Sequence, residues 1–111
     1  MANILMDDDT VTVSLSALEK VEALHGDVSV ARSAIVGIHE VPDGLAEVHG
    51  VRLPGTGLPG MILVGTFREP DRRTFAVCHG ANPAVVFDLK GEHFDRLVVT
   101  VDNPEALVGL E

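Results

Sequence analysis

The chain has no Trp and no Tyr, only four Phe, and a single cysteine, Cys78, in 111 residues. Single strands of nucleic acid are gripped by stacking bases on aromatic rings, and Trp and Tyr anchor many protein interfaces, so both devices are nearly missing here. One cysteine cannot form an intrachain disulfide, which excludes a disulfide scaffold and suits a reducing cytoplasm. Basic residues are also scarce. Eight Lys and Arg face 17 Asp and Glu, a net charge of -9, which repels phosphate backbones and anionic membrane surfaces at long range. The imbalance sits in residues 1–50, where nine acids accompany only Lys20 and Arg32. No apolar run approaches the roughly 20 residues of a membrane span, so no integral membrane segment is expected.

Valine is abundant. Seventeen valines favour strands over helices, because a branched β-carbon fits a pleated surface and loses rotamers in a helix. A chain of this length holds one core, and no repeat or change of composition divides it. Residues 1–9 are expected to form a flexible lead and residues 10–111 a single domain; Leu110-Glu111 reads as a vector remnant.

Val11, Val13 and Leu15 alternate with Thr10, Thr12 and Ser14, the period of a half-buried strand. Ser16 and Glu19 form a capping box that predicts a short helix to His25-Gly26. Val28 and Val30 begin another alternation, and Ile35 to Val41 is a third apolar stretch, closed by Pro42-Asp43-Gly44. Residues 43–60 form the longest irregular segment, with one turn of helix at Leu45 to Val48. Four strand candidates follow, Met61 to Phe67, Thr74 to His79, Ala84 to Leu89 and Leu97 to Val101, and their short connections predict an antiparallel meander. Asn103 and Pro104 then start a short terminal helix. The expected fold is mainly β: about seven antiparallel strands in a small bent barrel or sandwich, capped by that helix.

Residues 55–60, Gly-Thr-Gly-Leu-Pro-Gly, match the G-x-G-x-x-G phosphate-loop pattern letter by letter. A dinucleotide loop needs a helix directly after the glycines, whereas Met61 to Phe67 reads as a strand, and no carboxylate lies near position 80 to meet a ribose. The match is therefore rejected, and the segment is expected to be a Pro/Gly hinge. No cofactor is expected.

The phrase Leu53-Pro54-Gly55-Thr56-Gly57-Leu58-Pro59-Gly60 running into Gly65-Thr66-Phe67 resembles bacterial pleckstrin-homology-like (PH-like) domains of uncharacterised function. The ending is similar too: Ala84-Val85-Val86-Phe87-Asp88-Leu89, then Leu97-Val98-Val99-Thr100-Val101-Asp102-Asn103-Pro104-Glu105. The resemblance implies a seven-strand bent barrel closed by one helix, acting in assembly or interaction. Lipid-binding members present several Lys and Arg on the first hairpin; Lys20 and Arg32 among Glu19, Glu22 and Asp27 argue against phosphoinositide binding.

Several residues could carry chemistry. Cys78 and His79 are neighbours, yet adjacent strand residues face opposite ways, so a thiolate-imidazole pair is not expected. The five histidines, at 25, 39, 49, 79 and 93, lack the short spacings that pre-form a metal site. Arg68, Arg72 and Arg73 cluster at a turn with Glu69 and Asp71, where guanidinium groups can grip a phosphate or carboxylate or simply pair locally. His93, Asp95 and Arg96 are read as decorating a turn. No residue is nominated for catalysis.

Two functions compete. The first is a non-enzymatic interaction module that binds a protein, or itself as a homodimer, through a barrel face or an open strand edge. Strands apolar on both faces, such as Met61-Ile62-Leu63-Val64 and Ala84-Val85-Val86-Phe87, would then need cover from a second subunit. The second is a small-molecule carrier or motif-free enzyme using the barrel mouth, with His49, Arg52 and Thr56 converging and residues 43–60 as the gate.

Overall fold

The structure, a computed structural model, describes residues 3–16, 26–48, 51–58, 62–79 and 82–101. Their strands form two sheets. The smaller has the order β1-β2-β3, from Asn3–Met6, Thr10–Ser14 and Val28–Ala31, all antiparallel. Val11, Val13, Val28 and Val30 are buried on its inner face, while Thr12 and Ser29 share a 2.7 Å hydroxyl hydrogen bond on the outer one. Alternation in the sequence thus becomes a sheet with one dry and one wet face.

Residues 3–6, within the stretch expected to be a flexible lead, form β1. Ile4 and Met6 pack against the core, and the strand turns back because Asp7 organises the connection. The Asp7 carboxylate accepts 2.8 Å hydrogen bonds from the Asp9 and Thr10 amides, which hold it below its usual acidity range. The three consecutive aspartates build a turn. The helix expected from Ser16 to His25, and the one expected after Asn103, lie outside the described residues.

The larger sheet contains β4 (Ile35–Val41), β5 (Val51–Leu58), β6 (Ile62–Glu69), β7 (Arg72–His79), β8 (Ala84–Leu89) and β9 (Arg96–Thr100), in the order β4-β8-β9-β7-β6-β5. A 3-10 turn at Arg32–Ala34 carries the chain from one sheet to the other, held by Arg32 N–H to Asp9 O at 2.9 Å and Lys90 N–H to Ala34 O at 2.9 Å. The mainly β expectation holds. Among the described residues, however, the strands number nine in two sheets that do not close, where about seven in a small bent barrel or sandwich were expected.

The meander is also corrected. β9 lies between β7 and β8 and runs parallel to β7, pairing Thr74 with Arg96 and Val77 with Val99. Residues 80–83 are enough to step over one strand, since two strand spacings are only about 10 Å. Burial explains why β9 takes the middle. Leu97, Val98, Val99 and Thr100 are all buried, so both faces of this strand must be covered, and parallel pairing occurs where that is so.

The large sheet consequently has two dry faces. Phe75, Val77, Val85, Phe87, Leu97 and Val99 meet the valines of the small sheet. Ala76, Cys78, Ala84, Val86 and Val98 point the other way, under Leu45 and Val48. Each fully buried large side chain contributes about 1.5–3 kcal/mol. Leu45 belongs to the one-turn helix α1 (Gly44–Glu47), and Val48 follows it, close to the expected turn of helix. Part of the cover assigned to a second subunit is therefore supplied by the chain itself.

The remainder of the irregular segment is strand. β5 contains the Gly-Pro phrase and pairs with β6, which begins at Ile62, so a strand follows the glycines. Pro54 sits where the β5–β6 register shifts between Arg52 and Gly55; an edge strand tolerates proline at such a bulge because no second neighbour needs its N–H. Of the segment expected to be irregular, Gly44–Glu47 and Val51–Leu58 are regular structure.

Gly44 is where α1 touches the sheet. Its N–H donates to Asn82 O at 3.0 Å, and a β-carbon there would lie 2.8 Å from the Ala84 β-carbon and 3.1 Å from Cys78 Sγ. Gly44→Ala is expected to destabilise the fold by about 1–3 kcal/mol, the usual range for overpacking, read as a lower urea midpoint at unchanged slope.

Candidate functional site at the hairpin tip

The tip of the β6–β7 hairpin gathers the three arginines. Glu69 pairs with Arg72 and Arg68 with Arg73 across the strands. The first pair is complementary: Arg72 Nε and Nη2 donate to the two Glu69 oxygens at 3.1 and 3.2 Å. The second sets two guanidinium-bearing residues directly opposite each other, an unfavourable arrangement for like charges. Arg68 is exposed, and its guanidinium has no partner among the described residues.

The connection between β8 and β9 completes the site. Because β9 starts beside the start of β7, residues 90–95 are delivered to the hairpin tip. The Asp95 N–H donates to Arg73 O at 2.8 Å, and the Arg73 N–H donates to Asp95 Oδ2 at 2.9 Å. Arg73 Nη1 lies 3.1 and 3.3 Å from the ring nitrogens of His93. His93 in turn packs edge-on against Phe94, which anchors the segment in the core beside Phe75.

Two hollows meet at this segment. One of about 290 Å³ is lined by Arg68, Glu69, Pro70, Arg72, Arg73, Glu92, His93 and Asp95. The other, of about 210 Å³, lies between Asp27–Val30 and Glu92, His93 and Phe94. They share Glu92 and His93 as a common wall. His93 and Asp95 therefore line a hollow and do more than decorate a turn.

The second hollow borders β3, and hydrogen-bond parity tells which backbone groups that strand leaves open. The Asp7 N–H bonds Thr10 O and closes the β1–β2 hairpin, so even-numbered residues of β2 turn their polar groups to β1 and odd-numbered ones to β3. Val11 and Val13 then bond Val30 and Val28, and Arg32 continues the series by bonding Asp9. Ser29 and Ala31 are left with N–H and C=O directed away from β2. Among the described residues no strand pairs with that edge.

Three further nominees have no described side chain. His49 lies outside the described residues. Arg52 and Thr56 stand on β5, opposite Phe67 and Val64, and their side chains lie outside the described part of the structure. Arg96 serves the opposite face, where it is only 14% exposed and binds Asp88 at 3.3 Å and Glu47 at 3.6 Å, tying α1 to the sheet. His39 lies 3.6 Å from the same Asp88. Among the described residues no three His, Cys, Asp or Glu side chains gather as for a metal, and no helix is long and apolar enough to cross a membrane.

Ser29 and Glu92 were not singled out from the sequence. The only hint was Val28-Ser29-Val30 itself, whose alternation marks a strand without showing which edge stays free. Comparison with family models, curated proteins and solved structures found no match for this chain.

Cys78 is fully buried and points away from the face of His79, with Sγ 3.7 Å from Val98 O. Burial pushes its thiol from 9.0 up to about 12, opposed by a bond to Thr100 and reinforced by Asp43. The folded chain keeps this proton in a range where the unfolded chain has released it. Stability should therefore fall as pH rises from about 9 towards 12, by at most ~1.4 kcal/mol per pH unit. With no Tyr to titrate in that range, melting curves of wild type and Cys78→Ala between pH 8 and 11 will isolate the effect, the variant showing the shallower decline.

Proposed function

We propose that this chain is a non-enzymatic binding module that accepts an extended segment of a partner protein as an added strand on the open edge of β3. One observation carries the reading: Ser29 and Ala31 direct their backbone groups away from β2, on a strand bordered by a hollow whose far wall is Glu92 to Phe94. An unpaired row of donors and acceptors is a template for strand addition, in which the main chain supplies affinity and neighbouring hollows supply selectivity. The resemblance of residues 53–67 and 84–105 to bacterial PH-like domains, as interaction modules, is part of the same proposal.

Ala31 allows a clean test. Its φ of -65° is the value proline imposes, and its N–H takes no part in the β2–β3 ladder, so Ala31→Pro should fold with little change in melting temperature. In the free protein the amides of Ser29 and Ala31 should exchange with solvent quickly and those of Val28 and Val30 slowly. A labelled peptide of alternating Thr and Val should slow the first pair on binding. Ala31→Pro should weaken that peptide by about tenfold or more, the loss of a strand hydrogen bond together with a clash at the edge. Equal binding to wild type and Ala31→Pro would remove the basis for the proposal.

A further inference from the structure

Building on that strand-addition reading, we infer that the hollow at the hairpin tip selects partners of one chemistry: extended segments carrying a carboxylate side chain, held by Arg68 and Arg73. Three of the six arginines in an acidic chain are collected here, and their placement is not explained by internal pairing alone. Arg72 is neutralised by Glu69 through two hydrogen bonds. Arg68 and Arg73 instead oppose each other across the β6–β7 ladder, and among the described residues the side-chain hydrogen-bond partner of the Arg73 guanidinium is the His93 ring. Like charges at directly opposed positions of a ladder disfavour the hairpin, and a carboxylate bound between them would relieve that cost.

The acids lining the same hollow differ in what they are doing. Glu69 is engaged by Arg72, and one Asp95 oxygen accepts the Arg73 backbone N–H. Glu92 has no partner among the described residues and stands in the wall shared with the β3 hollow. It opposes an incoming carboxylate. The net charge of -9 opposes the long-range approach of any anion, but charges beyond about 8 Å are largely screened at physiological salt, so the groups lining the hollow set the preference of a segment already docked on β3.

A peptide is favoured over a free anion because the hollow adjoins the one that borders the edge of β3, the two sharing Glu92 and His93. A segment paired along Ser29 can extend past this wall and bring a carboxylate to the arginines. Arg68 is exposed and has no side-chain partner among the described residues, so Arg68→Gln removes the charge without disturbing the hairpin.

The test compares two labelled peptides of alternating Thr and Val, one flanked at both ends by Glu and the other by Gln. Wild type should bind the Glu-flanked peptide about tenfold more tightly, as expected for a charge-assisted contact. Arg68→Gln should abolish this preference while leaving the Gln-flanked peptide unaffected. Glu92→Gln should enlarge it, a change of opposite sign that general loss of structure does not produce. Equal affinity for both peptides would overturn the carboxylate preference and leave strand addition standing. Failure of both peptides to bind would overturn strand addition and this inference together. Inorganic phosphate that binds at Arg68 without competing with the Glu-flanked peptide would assign the hollow to a free oxyanion instead and overturn the inference. Dimerisation in sedimentation that Arg68→Gln abolishes, without peptide binding, would identify the occupant as a second copy and overturn it too.

Discussion

The parallel pairing of β9 with β7 is the constraint on which the remainder of the molecule depends. A strand with Leu97, Val98, Val99 and Thr100 all buried cannot lie at an edge, and its place between β7 and β8 commits the large sheet to two covered faces. One cover is the small sheet, the other begins with α1. The same pairing fixes direction: Arg96 stands beside Thr74, so the loop before β9 must arrive at the β6–β7 turn. In an antiparallel meander the loop would reach the same end of the sheet, but β8 and not β9 would stand beside β7. The hollow beside the arginines is thus a product of topology before it is a product of side chains.

Much of the strand content was legible because alternation is local. Thr10 to Ser14 and Ile35 to Val41 needed no knowledge of their neighbours, and the rejection of a nucleotide loop at Gly55 to Gly60 rested only on the strand expected behind it. Strand order was not legible. Gly80-Ala81-Asn82-Pro83 has the composition of a hairpin turn, and composition does not distinguish a turn between neighbours from a step over a third strand. The informative signal was apolar character on both faces of residues 61–64 and 84–87. It was read as a demand for a second subunit, whereas it also ranks strands from centre to edge.

The candidate site was half legible for a similar reason. Arg68, Arg72 and Arg73 are close in sequence and remain close in space. Ser29, Glu92, His93 and Asp95 join them from two other segments, and only the sheet order brings those segments together. Pro54 was read as a loop former because proline breaks ladders; at an outer strand with a register shift, that objection disappears.

That outer strand has a further consequence. Wherever a sheet ends, stray chains can dock, and a protein using one margin for recognition gains from spoiling the others. The kink at Pro54 interrupts the row of amides along the far rim of the large sheet, and the irregularity between Ile35 and Gly37 does the same on the near rim. Neither rim offers an unbroken landing strip. Among the described residues the unbroken margins are those of the small sheet, along β1 and beside Ser29 on β3.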